Sequence, residues 1–114
     1  MDVTTIAPSP TASTSFPMTA VMATLHAELI EAAKIEASIR GMVLPSTPAQ
    51  ISKAMVHLDS LVVVSILCAI EPIVGFEVPE TVVSAGGYDS VESALGLLLP
   101  RLEKEWAKKN GLKS

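Results

Sequence analysis

The chain has one cysteine, two histidines and only four aromatic residues, Phe16, Phe76, Tyr88 and Trp106. A single Cys68 excludes an internal disulfide, and its place in an apolar stretch predicts a buried small hydrophobe. Two histidines and one cysteine without ligand spacing predict no metal centre. The scarcity of aromatics, against many Ala, Val, Leu, Ile and Met, suits helices packed on aliphatic side chains rather than a β-sandwich. Bases are also few. No lysine or arginine precedes Lys34, which argues against a secretory signal and a mitochondrial presequence. The formal charge of −4 argues against nucleic acid as a partner, because phosphate neutralisation needs a basic surface. The longest apolar run, Leu61–Ile70, is interrupted by Ser65 and is about half the length of a membrane span. These absences lead to the expectation of a soluble, cytoplasmic protein.

At 114 residues the chain is long enough for one modest core. Positions 1–17 are rich in Thr, Ser, Pro and Ala and read as a disordered arm. A helical domain is expected over 18–107, and a basic tail over 108–114. Thr19 could cap a first helix, whose apolar positions include Val21, Met22, Leu25, Leu29, Ala32 and Ala33. Ile35 and Ile39 form a second apolar edge on it, and Gly41 is a natural stop. A long connection with Pro45 and Pro48 follows, with a short helical turn expected over 49–56.

His57-Leu58-Asp59-Ser60-Leu61 is the most telling segment. Aspartate caps helices because its carboxylate accepts hydrogen bonds from the unpaired N–H groups of the first turn. With Asp59 as cap, Ser60 becomes the first helical residue, at the positive end of the helix dipole. A phosphate-linked group is favoured at such a place. Val62-Val63-Val64 read alone would suggest a strand, since β-branched residues are poor helix formers. The cap turns the reading towards helix without deciding it. Pro72 should end or kink this second helix near Ile70 or Glu71. A short third helix is expected from Pro79, broken by Gly86-Gly87. Asp89 or Ser90 caps the last helix, with Glu92 placed for a capping box with Asp89. Val91, Ala94, Leu95, Leu98, Leu102 and Trp106 form its stripe, and Pro100 should bend it.

Several of these features recur in order in one known family. Asp59-Ser60-Leu61, an apolar helix to Ala69-Ile70-Glu71, Phe76-Glu77-Val78-Pro79-Glu80, and Tyr88-Asp89-Ser90-Val91 before a last helix together resemble the acyl carrier proteins, acyl and peptidyl alike. The resemblance covers roughly the second half of the chain. It implies an all-α fold: a small up-and-down four-helix bundle with a long first loop and a short third helix. It also implies 4′-phosphopantetheine attached to Ser60, with Asp59 and Leu61 as neighbouring recognition residues. The chain would carry acyl intermediates as thioesters in fatty-acid, polyketide or specialised lipid synthesis, without being an enzyme itself. The implied partners are a phosphopantetheinyl transferase and acyl synthases or acyltransferases.

Typical fatty-acid carriers have acids on the exposed face of the second helix. Here those positions read Val62, Ser65 and Pro72, and Glu71 and Glu77 remain acidic. Val62, Ser65, Glu71 and Glu77 are therefore the candidate partner-binding residues. A helix apolar all round must be buried or covered. An acyl chain, a partner, the N-terminal arm or self-association through this helix would each cover it. The rival class is a non-catalytic helical interaction module without a prosthetic group. A hydrolase pairing Ser60 with His57 has no identifiable acid to complete a triad.

Overall fold

The computed structural model describes residues 16–110. Positions 1–15 of the expected arm, and 111–114 of the expected basic tail, lie outside the described residues. The described residues form an all-α protein of four helices, with no β-strand among them.

Helix α1 spans Met18–Ile39. Pro17 stands at its N-cap position and Thr19 lies inside the first turn, so the expected Thr19 cap does not form. Proline has a fixed φ and no N–H to satisfy, which makes it suited to a helix entrance. Phe16 packs on the core and meets the Trp106 ring edge-on, with centroids 6.1 Å apart. Val21, Leu25, Leu29, Ala33 and Ala37 repeat every four residues and are buried. Met22, expected in the stripe, is exposed. The exit is a Schellman motif, as Gly41 implied. Gly41 takes φ +70°, its N–H donates to Ser38, and Met42 N–H donates to the Ala37 carbonyl at 2.8 Å.

Inside the long connection lies α2, Pro48–Lys53. Thr47 caps it by accepting from Gln50 N–H, and Pro48 occupies the first turn. Ser52 of α2 is buried, and its hydroxyl lies 2.8 Å from Nε2 of His26 on α1. This contact pins the connection to the bundle and pairs two polar groups that would be costly to bury alone.

The second helix of the sequence reading is α3, Ser60–Val74. It buries Val63, Ile66, Leu67, Ile70 and Val74. Of the two effects expected of Pro72, an end or a kink, the end does not occur. Cys68, whose carbonyl loses the bond that proline cannot donate, is on the wet side with Pro72, so water can replace the missing donor. Gly75 ends the helix instead, at φ +87°. Cys68 is therefore exposed rather than buried, because the apolar run is longer than one helix face.

A single 3₁₀ turn, Glu80–Val82, stands where a short third helix was expected. Helix α4 spans Val91–Lys109. Ser90, not Asp89, is its cap and accepts from Ser93 N–H at 3.0 Å. The Asp89–Glu92 capping box therefore does not form, being one residue out of register. The helix continues through Pro100, four residues beyond the exposed, side-chain-free Gly96.

Helix α1 packs against both α3 and α4, and α2 packs against α1 and α4. Leu25, Leu29, Leu67, Ile70, Leu98 and Leu102 fill the centre. Leu98→Ala should destabilise the protein by about 2–5 kcal/mol, the usual scale for emptying a core leucine site. Thermal unfolding checks this, with a fall in Tm of roughly 10 °C or more expected for a domain of this size.

Candidate functional site

Asp59 holds the N-terminus of α3. Its Oδ1 accepts the Leu61 N–H at 2.7 Å, and its backbone carbonyl accepts the Val63 N–H. Ser60, the first residue of the helix, is half-buried at the rim. The helix dipole places partial positive charge at this end, which the Asp59 carboxylate answers. No basic side chain lies in the loop and first turn 58–63. Asp59→Ala should cost about 1 kcal/mol, the loss of one cap, as read by denaturant unfolding.

The loop before Ser60 is clamped by the loop before α4. Leu58 and Tyr88 pair antiparallel through two backbone hydrogen bonds, 2.6 Å from Leu58 N and 2.9 Å from Tyr88 N. Both residues are buried. The Tyr88 hydroxyl accepts the Ser84 N–H at 3.0 Å, which fixes the ring from its far end. Gly87, at φ +76°, lies directly against the Leu58 carbonyl. Outside this pair, His57 Nδ1 lies 3.5 Å from the Asp89 carboxylate. His57 thus has an acid partner, Asp89, which the sequence alone did not identify.

The structure brings Asp59, Ser60, Leu61, Val62 and Ser65 together on the first turns of α3. Leu61 is exposed, and the Ser65 hydroxyl donates back to the Leu61 carbonyl at 3.2 Å. Glu71 and Glu77 lie apart from them, towards the other end of the helix. They line a cleft of 520 Å³ with Val64, Cys68 and Glu80, closed at one side by Glu105 and Lys109 of α4. Glu71 also has a structural task, because its Oε2 accepts the Val78 N–H at 2.9 Å and folds the chain back after Gly75.

Two features gave no sequence signal of their role. Gly87 read only as a helix breaker, since its approach to Leu58 depends on a partner 29 positions away. The His26–Ser52 pair joins two helices that no local pattern relates. No group of side chains able to hold a metal ion occurs among the described residues. No helix among them is long and apolar enough to cross a membrane. Comparisons with protein-family models, with curated proteins and with solved structures find no match to this chain.

Proposed function

We propose that the chain is an acyl carrier protein whose Ser60 bears 4′-phosphopantetheine, and that the four helices serve as an acyl-carrier-type up-and-down bundle. The observation that carries this reading is the position of Ser60. It is an accessible serine at the first residue of a long apolar helix, capped by Asp59 and held by the Leu58–Tyr88 clamp. A phosphodiester fits there. The hydroxyl stands at the rim, where a separate enzyme can reach it.

In the attachment step, Ser60 Oγ attacks the β-phosphate of coenzyme A. A new Ser–O–P bond forms, the diphosphate bond breaks, and adenosine 3′,5′-bisphosphate leaves. The serine proton passes to a base on the phosphopantetheinyl transferase. When bound, the arm supplies a thiol that carries acyl groups as thioesters. The chain's own residues orient and present it: Asp59 fixes the helix start, and Leu61, Val62 and Ser65 follow the serine on the first turns of α3. Acyl synthases or acyltransferases would meet that surface, with Glu71 and Glu77 available further along. The pathway served is fatty-acid, polyketide or specialised lipid synthesis.

Exposed Leu61 and Val62 also favour a second reading, an interaction module without a prosthetic group. One experiment separates the two. The purified chain is incubated with coenzyme A and broad-specificity transferases, and its intact mass is measured. The carrier reading expects a gain of one phosphopantetheine group per chain. An unchanged mass across several transferases would leave the interaction module as the better account.

A further inference from the structure

The second apolar edge of α1 is not core. Ile35 and Ile39 are 62% and 74% exposed, and across from them on α3 Val62 is 38% exposed. These three side chains line a hollow of 210 Å³ whose far wall includes Asp59, the residue before the serine. A second hollow of 280 Å³ adjoins it along the helices and shares Ala32, Ile35 and Val62. The result is one apolar groove between α1 and α3, beginning beside Ser60.

Its rim is acidic. Glu36 and Asp59 border the first hollow, and Glu28 and Glu31 border the second. Lys34 and Arg40 pair with Glu31 and Glu36 from outside the groove lining and offset part of that charge, which leaves the rim acidic by the balance with Glu28 and Asp59. His57 is the one basic-type residue at the edge.

We infer that this groove docks an amphipathic segment of an enzyme that works on Ser60, with leucine-like residues seated on Ile35, Ile39 and Val62 and lysine or arginine flanks facing the acidic rim. The identity of that enzyme rests on the carrier reading; the docking itself needs no arm. Apolar contact supplies the affinity, and the rim charges select the partner's sign. A second copy of this chain fits less well, because a two-fold contact through the groove would oppose acid to acid. An anionic lipid surface meets the same repulsion. The cleft at Glu71, Glu77 and Glu80 is also acidic, but it is not lined by any of the strongly exposed large apolar residues. Charge could draw a basic segment there, but its apolar lining, Val64, Val78 and Pro79, is less exposed than Ile35 and Ile39 of the α1–α3 groove.

The test uses the full isotope-labelled chain and two synthetic helical peptides. Both carry the same leucine face, one with lysine flanks and the other with glutamate flanks. The lysine peptide should shift the amide signals of Ile35, Ile39 and Val62. The glutamate peptide should bind at least about tenfold more weakly, as like charges oppose it. Ile35→Ser and Ile39→Ser, both at exposed positions, should each weaken the lysine peptide several-fold with Tm unchanged. Equal binding by the two peptides overturns the proposal. So does a shift pattern confined to the Glu71–Glu80 cleft, an absence of binding, or concentration-dependent dimerisation that moves the same signals without peptide. Ser60→Ala should bind the lysine peptide as the wild type does. A chain that docks the peptide but gains no mass would remove the carrier reading alone; one that gains mass without docking would remove the groove alone.

Discussion

Ser60→Ala is expected to gain no mass under conditions that convert the wild-type chain. The change removes one oxygen and little else. Position 60 is the first residue of α3, where alanine is a good helix former, and the Asp59 side chain caps through Leu61 N–H rather than through Ser60. The Tm should therefore stay within a few degrees. That stability makes the result chemical rather than structural. Ser65→Ala serves as the control, since its hydroxyl is spent on the Leu61 carbonyl one turn along the same helix. It should accept the group as the wild type does. A mass gain in Ser60→Ala would place the modification on another hydroxyl and end the assignment of Ser60.

Gly87→Ala should be among the most damaging single-methyl additions in the protein. Two costs coincide. The backbone at φ +76° lies in the left-handed region that side chains rarely occupy. The added Cβ would also overlap the Leu58 carbonyl oxygen, a backbone atom that cannot swing away. Relief would require pulling the Tyr88 backbone off Leu58, breaking two buried hydrogen bonds. A loss of at least about 2 kcal/mol follows from strain and lost pairing together. Gly75→Ala is the comparison. It shares a positive φ but has nothing within reach of a new Cβ, so it should cost less, about 1 kcal/mol. Equal losses in the two variants, measured by denaturant unfolding, would show that the contact with Leu58 contributes nothing.

The helices were legible where a local rule spoke. Asp59 before an apolar run, Gly41 after one, and the four-residue repeat from Val21 each correspond to an observed start, stop or buried face. Pro72 misled as a stop signal, because a proline on the wet side of a helix need not end it. Pro72 and Pro100 both sit on exposed faces, and both helices pass through them. Cys68 misled for a related reason: in α3 the apolar residues outnumber the buried positions, so hydropathy alone cannot tell one face from another. Ile35 and Ile39 were visible as a second edge, but whether an edge is core or surface is decided by where α3 lies. The clamp around Ser60 was the least legible part, since Leu58, Gly87 and Tyr88 are joined only by the completed fold.

That clamp bears on the order in which the chain can become competent during synthesis. The ribosome delivers Asp59 and Ser60 well before Gly87 and Tyr88. The peptide groups of Leu58 find their partners only when the loop before α4 arrives. Until then the turn leading into the serine has no fixed direction. An enzyme that reads the folded approach to Ser60, rather than the three letters around it, would therefore ignore a nascent chain and act on a finished one.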